Sequence, residues 1–494
     1  MSQKVIALLN KYGPMLSGEL ARHFQKNYKV SNEAARQALS RAGKPVNKIC
    51  TISFDKNQKF FYLESQFMSE RYIDRLLEAI KAHSQTNSAY ITAFVAQNGY
   101  ISKDMLPALV SSPIKNVRGH KLHQRVIDDL LKCRIIQEFD ETRWMLAPWM
   151  VSHYATNLAR STGLEVAKKQ LVHDFASWAG KLNLIGFSSS KTLNDTAEFA
   201  NFQWAFTAPS YVQPLYDTKH KKPGFVIADV FYGKTATVDD IRFFLDKINI
   251  IRTFRNLPTF LPVLLVEQVT SEALSLLKDN KITIAFINNL FDERYTELLN
   301  DIVNIFANST AFIAQNPAKI ENLFSEIAKS EGRYNDIVGD LFELLVGYYY
   351  QQIGVQSLYL KKLIQIPESA NSRELDVLAE REGKIIVVEC KATRSMLGAQ
   401  FVEKWLSTLV PQIRKWLIFR YPDKKDFVFQ LWSLGGFTEE ALQLLTMHQK
   451  QLFKYQIQFF DKQEILNMAR EKVVQPVIDV IQQYFPDRYI DIKK

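Results

Sequence analysis

Cysteine is scarce in this sequence. Only three cysteines occur in 494 residues, Cys50, Cys133 and Cys390, and they lie far apart without the paired spacing of metal ligands. Their scarcity points to a reducing cytosol and argues against structural zinc. Long apolar runs are also missing: no segment approaches about 18 uninterrupted apolar residues, and the opening "MSQKVIALLNKYG" lacks a secretory pattern. We therefore expect a cytoplasmic protein that does not associate with a membrane.

Composition sets the scale of the fold. Hydrophobic residues make up 47% of the chain, and glycine and proline are ordinary in number. A chain of this length and composition is expected to bury a large core and to divide into roughly three or four domains. A disordered or fibrous protein is excluded.

Positive charge is concentrated in the first third of the chain. The net charge is +10, and residues 1–150 hold 22 Lys or Arg against 13 acids. The first 50 residues alone hold nine Lys or Arg and two acids. Such a concentration is typical of a phosphate-binding surface. A basic face that serves only solubility is the alternative.

Residues 1–66 predict three short helices followed by a strand hairpin. The third helix, "SNEAARQALSRAG", has Ser31 as its expected N-cap, and "NKICTIS" and "KFFYLE" are the two strands. This order resembles the winged helix-turn-helix family. The resemblance implies DNA contacts from the third helix and the wing. The candidates are Arg36, Arg41, Lys44, Lys56 and Lys59. Winged helices also serve as protein–protein modules, so that alternative stays open.

Residues 67–152 resemble a second, less basic winged-helix domain. Its third helix is predicted across "GHKLHQRVIDDLLKCRII", with "IIQEFD" and "TRWMLAPW" as a wing. The candidate DNA contacts at or near this helix are Lys115, Arg118, Lys121 and Arg125. His120 and His123 have no third ligand near them in sequence, so we interpret them as solvated or phosphate-contacting residues.

From residue 153 onward, helices and strands alternate, and their order occurs twice. "FVIADVFYG" corresponds to "IIVVECKAT", and "TSEALSLL" to "TEEALQLL". We infer an internal duplication with copies at 153–315 and 316–494. The predicted fold class is therefore an α/β multidomain protein, with winged-helix domains followed by two related α/β units.

The second copy contains an unusual strand end. In "KIIVVECKA", side chains alternate, so Glu389 and Lys391 share one face and Cys390 points to the other as a core thiol. Asp376, on the preceding strand "ELDVLAE", can approach Glu389 if the two strands pair. Two carboxylates beside a lysine are costly to bury unless a divalent cation neutralises the acids.

These residues resemble the core of the PD-(D/E)xK nucleases, the restriction-endonuclease-like superfamily, and the later "FVFQLWSLGGFTEEALQLL" is similar to Mrr-like members. The resemblance implies Asp376, Glu389, Lys391 and Glu343 as catalytic residues, Glu343 lying on the preceding helix "GDLFELLVGYYY". It also implies a Mg²⁺ or Mn²⁺ ion bound by Asp376, Glu389, the backbone carbonyl of Cys390 and Glu343. Weaker candidates for substrate phosphates are Gln400, Gln412 and Lys415. The proline of the family name is absent before Asp376.

The first copy departs from this pattern. Aligning the two strands puts Asp229 opposite Glu389 and Phe231 opposite Lys391. No acid lies at the spacing of Asp376, and Asp217 is the nearest. We therefore predict that the first copy, 153–315, is a degenerate nuclease-like domain that lacks activity.

We expect a metal-dependent endonuclease that hydrolyses DNA, with double-stranded DNA as the expected substrate. Its winged helices would target it to the DNA. By analogy with type IIS restriction enzymes, defence against foreign DNA is the expected role. A homodimer or a partner protein could support cleavage of two strands. Three alternatives remain: a non-catalytic DNA-binding or assembly protein, a partner-gated RNA or DNA effector, and a simple ion pair between Glu389 and Lys391.

Overall fold

The computed structural model shows a mixed α/β protein with several small sheets. It describes residues 2–49, 51–186, 189–307, 335–366, 372–393, 395–450 and 454–484. One compact unit contains Met1–Thr156 and Ala176–Leu290, and the other contains Asn157–Phe175 and Phe291–Lys494. Cys50 and the predicted boundary between residues 315 and 316 lie outside the described residues.

The first unit begins with three helices and a small sheet, which we call the first helical segment. The helices are Ser2–Tyr12, Ser17–Tyr28 and Asn32–Ser40, and the strands are β1 (Met15–Leu16), β2 (Val46–Ile49) and β3 (Phe60–Leu63). The sheet order is β1-β3-β2, all antiparallel. Ser31 caps the third helix by accepting a hydrogen bond from the Ala34 N–H at 3.2 Å, which confirms the predicted cap. Apolar side chains of all three helices form the core beneath this sheet.

The second helical segment repeats the sheet order. Its helices are Glu70–His83, Gln85–Ala96 and His123–Lys132, and its strands are β4 (Tyr100–Ser102), β5 (Ile136–Glu138) and β6 (Arg143–Leu146). The strands pair as β4-β6-β5. The predicted long third helix is wrong, because it has only ten residues. Arg134 adopts a left-handed conformation (φ 54°) just after it, which ends the helix.

The remainder of the first unit is built on a five-stranded mixed sheet, the first sheet. Its order is β13-β12-β11-β10-β7. Its strands are β7 (Lys191–Thr192), β10 (Phe206–Ser210), β11 (Gly224–Phe231), β12 (Phe260–Val266) and β13 (Thr283–Phe286). A separate short pair is β8 (Glu198–Phe199) and β9 (Phe202–Gln203). The associated helices are Val238–Ile251, Ser271–Asp279 and Ile287–Leu290, and the helix Leu158–Lys181 belongs partly to each unit.

The second unit contains another five-stranded mixed sheet, the second sheet, with order β14-β15-β16-β17-β18. Its strands are β14 (Ser357–Gln365), β15 (Ser372–Arg381), β16 (Lys384–Lys391), β17 (Phe427–Ser433) and β18 (Gln456–Asp461). Its helices are Glu293–Ala307, Asn335–Gln352, Ala399–Lys404, Val410–Arg420, Glu439–Lys450, Lys462–Glu471 and Gln475–Tyr484. Short 3₁₀ turns elsewhere in the chain are Asp55–Asn57, Glu64–Gln66, Leu106–Leu109 and Pro148–Ser152.

One predicted helix of the second unit is interrupted. Between Ala399–Lys404 and Val410–Arg420 the chain widens into a π turn, Trp405–Leu409. Pro411 explains the interruption, because proline has no backbone N–H and its ring clashes with the carbonyl one turn earlier.

The two sheets share their pairing pattern. β11 is antiparallel to β10 and parallel to β12, just as β16 is antiparallel to β15 and parallel to β17. A single bridge between Ala236 and Val269 after β11 matches one between Leu397 and Phe437 after β16. The strand order and the bridges therefore agree with the repeat inferred from the sequence.

Candidate active site and basic groove

The end of β16 brings the predicted acids together. Val377 pairs with Val388, so the next step of the antiparallel register sets Asp376 opposite Glu389. The Cys390 backbone N–H donates to Asp376 Oδ2 at 2.7 Å and fixes that carboxylate against the strand end. β16 is parallel to β17, so these groups lie at the carboxyl end of the parallel strands.

The Lys391 ammonium group lies among three oxygens. Its Nζ is 2.7 Å from Glu389 Oε1, 4.0 Å from Asp376 Oδ2 and 3.1 Å from the Cys390 carbonyl oxygen. These three oxygens are the same metal ligands that the family resemblance implies. A lysine cation and a divalent cation would thus compete for one set of donors.

The charges of the cluster are strongly coupled. Burial, together with the Glu389 and Glu343 carboxylates, raises the pKa of Asp376 well above the usual carboxyl range. For Lys391, burial alone would lower the pKa, but the Glu389 and Asp376 carboxylates outweigh it and raise the pKa. Lys391 is therefore protonated at neutral pH, and it can donate hydrogen bonds but cannot act as a general base.

Glu343 has a cationic partner that the sequence did not reveal. Lys361 Nζ is 2.8 Å from Glu343 Oε2 and 3.9 Å from Glu374 Oε1, and its side chain is only 5% exposed. Gly347, one turn beyond Glu343, lets the helix Asn335–Gln352 lie close to β14, because a Cβ there would lie 2.6 Å from the Leu360 side chain. This close packing sets Glu343 beside Lys361.

Lys361 was missed for a local reason. It lies opposite Asp376 by register, between the pairs Leu360–Val377 and Lys362–Leu375, and its φ is 49°. The register is the same on both sides of Lys361, so no residue is inserted, and the left-handed conformation alone sets this residue apart from regular strand geometry. Alternation along the sequence cannot show a left-handed lysine inside a strand, so no signal singled this residue out.

Cys390 behaves as a core thiol. It is buried, and burial, with Asp376 nearby, raises the pKa of its thiol well above the usual range. A reactive thiolate needs the opposite shift. Only its backbone N–H and carbonyl contact the polar cluster.

The donor set fits a hard divalent cation. In the part of the chain that the structure describes, no three His, Cys, Asp or Glu side chains form a ready metal cluster. The gathered donors are instead two carboxylates, Asp376 and Glu389, and one backbone carbonyl. Oxygen-only ligands with one or two carboxylates are what Mg²⁺ uses in proteins. Glu343 could complete the set only after exchanging its contact with Lys361.

The loop after Lys391 is held by a close backbone contact. A Cβ on Gly435 would lie 2.5 Å from the Thr393 carbonyl oxygen, so the turn after β17 requires glycine there.

Of the weaker candidates for substrate contacts, exposed Gln400 lies in the helix that starts beyond this loop. Gln412 and Lys415 lie about 18 Å or more further along that helix at 1.5 Å per residue. Contact of these residues with substrate phosphates stays a prediction.

The first sheet presents a different constellation at the equivalent position. Asp229 is fully buried, and the Ala205 N–H donates to its Oδ1 at 2.9 Å. Ala205, rather than Asp217, therefore stands where the second sheet has Asp376. Asp217 lies in the connection between β10 and β11 and pairs with His220 at 2.7 Å. The antiparallel register, which sets Ala205 opposite Asp229, agrees with the prediction that no acid matches Asp376 there, and Asp217 is only the nearest acid in sequence.

A groove of about 720 Å³ crosses the first helical segment between its second and third helices and the β2–β3 hairpin. Of the predicted DNA contacts, Arg36, Lys56 and Lys59 line this groove, together with Arg22 and Lys48, which the sequence analysis did not single out. Arg41 and Lys44 are exposed but lie outside it. We call this surface the basic groove.

The cations of the second helical segment are more engaged. Lys115 pairs with Glu198 at 2.5 Å, and Lys121 pairs with Asp129 and approaches Ser53 Oγ at 3.3 Å. Arg118 and Arg125 are exposed. The segment therefore offers fewer available cations than the first one.

His123 is not solvated as expected. Its Nδ1 lies 2.7 Å from the Tyr90 hydroxyl, the two rings stack, and burial lowers its pKa to about 4. His120 is exposed. The prediction of a phosphate-contacting His123 is wrong, because its ring is taken up by packing against Tyr90.

No helix in the described part of the chain is long and apolar enough to cross a membrane.

Comparisons with known proteins leave the family open. No protein-family model matches the chain, and no curated protein matches it. One solved structure shows a weak similarity, the crystal structure of a protein of unknown function, AF1548, with 16% sequence identity and a TM-score of 0.20. The match covers 27% of this chain and 65% of that one, less than two thirds of its length. A similarity at this level bears on neither fold nor function.

Proposed function

We propose that this chain is a divalent-metal-dependent nuclease that hydrolyses DNA phosphodiester bonds at Asp376, Glu389 and Lys391. The observation that carries the proposal is the convergence of two carboxylates, a backbone carbonyl and a protonated lysine at the end of β16. The proposal treats the second sheet as the nuclease unit and the first helical segment as the winged helix that binds DNA. The basic groove supports the DNA-binding half.

Each residue has a distinct task in this proposal. Asp376, held by the Cys390 N–H, and Glu389 would hold Mg²⁺ or Mn²⁺ with the Cys390 carbonyl, and Glu343 is a further candidate ligand. Such an ion, when bound, supplies a Lewis acid for the phosphoryl oxygens and lowers the pKa of a bound water. Lys391 keeps its proton, orients the attacking water by donating a hydrogen bond to its oxygen, and stabilises the negative charge that develops on the phosphate. Lys361 holds Glu343 in place by their ion pair.

Plasmid cleavage tests the proposal. Purified full-length protein with Mg²⁺ or Mn²⁺ should nick or cut plasmid DNA, and Lys391→Ala should reduce the rate by at least about a hundredfold through loss of charge stabilisation. Lys384→Ala, at the other end of the same strand, is the matched control and should cut like the wild type. Persistent cutting by Lys391→Ala would discredit the site.

A second candidate function is a non-catalytic DNA-binding scaffold. One observation favours it: Lys361 already pairs with Glu343 and Lys391 with Glu389, as in a structural ion-pair network. DNA binding without cleavage in any divalent metal would support this reading. A partner-gated effector predicts a further outcome, in which deleting residues 1–149 leaves DNA affinity unchanged.

A further inference from the structure

A second concave surface lies at the opposite end of the second sheet. It measures about 500 Å³ and borders the first residues of β17 and β18, whereas the acids lie at the last residues of β16. Its charged lining residues are Arg414, Lys424, Lys425, Lys454 and Asp426, and the Tyr455 ring forms part of one wall. β17 has seven residues. At about 3.3 Å per residue the two ends are therefore roughly 20 Å apart.

The positive charge of this cavity is largely uncompensated. Lys424 pairs with Glu380 at 2.6 Å. Within the described residues, no carboxylate lies within ion-pair distance of Arg414, Lys425 or Lys454. Asp426 is the only acid among the lining residues that the structure describes. A concave surface lined by like charges focuses the potential and attracts anions.

Arg414 contacts an aromatic ring but lacks a hydrogen-bond acceptor at one buried nitrogen. Its guanidinium carbon lies 5.8 Å from the Tyr455 ring centroid, and its Nε is buried with no hydrogen-bond acceptor among the described residues. A buried donor without an acceptor costs free energy, and an acceptor supplied by a ligand would relieve that cost. The planar fork of a guanidinium matches the oxygens of a phosphate group.

We propose that this cavity binds a nucleotide, with its phosphate chain on Arg414, Lys425 and Lys454 and its base against the Tyr455 ring. The cavity volume lies within the range of small-molecule sites, about 300–1,000 Å³. Its distance from Asp376 and Glu389 makes it a separate ligand site and not a part of the proposed nuclease centre. The nucleotide-binding proposal is therefore independent of the proposed nuclease activity.

Calorimetric titration of the full-length protein tests the proposal with three probes: ATP, inorganic tripolyphosphate and a short single-stranded oligonucleotide. At about 0.15 M salt, where weak surface pairing is screened, ATP and tripolyphosphate should both bind. Arg414→Gln should weaken both by about tenfold or more, as expected for a charge-assisted hydrogen bond. Tyr455→Leu should weaken ATP binding more than tripolyphosphate binding, because only ATP has a base to lie against the ring. Lys472→Gln, an exposed cation outside the cavity, is the matched control and should bind like the wild type.

Three outcomes would overturn the proposal. In the first, the wild type does not bind ATP. In the second, the wild type and the cavity variants bind ATP with equal affinity. In the third, only the oligonucleotide binds, and its binding depends on Arg414 and Lys454. The last result would assign the cavity to a nucleic-acid path. Lys425→Gln and Lys454→Gln alter exposed side chains, so they keep the test decisive if Arg414→Gln does not fold.

Discussion

At the scale of single residues, lysine side chains pair with acids at the strand ends of both sheets. Lys391 contacts Glu389 and the Cys390 carbonyl in the second sheet. Lys247 contacts Asp229 at 2.5 Å and two backbone carbonyls in the first. One lysine comes from the strand that carries the acid, and the other comes from the following helix. Only the strand lysine lies at an accessible strand end, where a substrate phosphate could reach it.

The acids and Lys391 could be found from sequence, whereas Lys361 and Lys247 could not. Strand alternation predicts which side chains share a face, and it correctly put Glu389 beside Lys391. Lys361 depends on a left-handed backbone conformation inside a strand, and Lys247 on the packing of a helix against a sheet. Both are tertiary features that leave no local pattern.

His123 provides a prediction of pH dependence. In the unfolded chain histidine binds its proton near pH 6.5, whereas the folded state binds it only near pH 4. As pH falls from about 6.5 to about 4, the unfolded state gains the proton first, so the free energy of unfolding falls by up to roughly 3 kcal/mol at 1.36 kcal/mol per unit. His123→Gln should flatten this part of the stability profile in urea titrations.

The control for this prediction is His120→Gln, which changes an exposed ring three residues away. It should leave the slope between pH 6.5 and 4 as in the wild type. If His123→Gln and the wild type lose the same free energy over this range, the ring is not buried in its neutral form.

At the scale of elements, the first sheet has the same strand pairing as the second sheet. It lacks the second acid and the strand lysine that the second sheet has at the equivalent strand end. Ala205 replaces the acid opposite Asp229, and the Lys247 ammonium lies between the Asp229 carboxylate, the Gln203 carbonyl at 3.0 Å and the Ala108 carbonyl at 2.9 Å. Since Ala108 belongs to the second helical segment, this lysine joins that segment to the first sheet. In the first sheet, the cation at this strand end therefore has a structural role.

Removing Lys247 should destabilise the first unit. Burial raises the pKa of Asp229 and lowers that of Lys247, so their charges survive only through their mutual attraction. Lys247→Met leaves a buried carboxylate unpaired and should cost roughly 3–5 kcal/mol of unfolding free energy. The double variant Asp229→Asn with Lys247→Met should recover a large part of this loss. Urea unfolding of the full chain measures both.

Lys81→Ala is the matched control, because Lys81 pairs with Asp239 at an exposed position and should cost less than about 1 kcal/mol. Equal losses for Lys81→Ala and Lys247→Met would refute the structural role of the buried pair.

Element boundaries show where sequence reasoning succeeds and fails. The strand "KIIVVECKA" and the helix "TEEALQLL" occur in the structure as β16 and within Glu439–Lys450. Their periodicity and caps are local, so the sequence contains the whole signal. β1 was missed because two residues carry no periodicity, and it exists only through pairing with β3.

At the scale of the whole molecule, the excess of positive charge in the first third of the chain corresponds to a defined surface. Arg22, Arg36, Lys48, Lys56 and Lys59 share the basic groove. Composition predicted that a basic surface exists, but not which lysines and arginines form it, because that depends on how the hairpin folds against the helices.

The groove should govern DNA affinity through salt. Replacing Arg36 and Lys59 by alanine should weaken DNA binding and reduce the slope of log K against log salt by roughly 2, since each phosphate contact contributes about 0.9. Fluorescence anisotropy with labelled duplex DNA at several salt concentrations measures this slope. Lys26→Ala, exposed on the second helix outside the groove, should change neither quantity. An unchanged slope in the double variant would assign DNA binding to another surface.

Asp376 and Glu389 are proposed to form a divalent-cation site. Titration calorimetry with Mn²⁺ on the full-length protein tests it most directly, with Asp376→Asn and Glu389→Gln as site variants and the exposed Asp479→Asn as control. The wild type and Asp479→Asn should bind Mn²⁺ with equal affinity, and each site variant should bind at least about tenfold more weakly, the lower end of what altering a metal site costs. If the wild type does not bind Mn²⁺, or binds it no more tightly than Asp376→Asn, these two acids do not form a divalent-cation site.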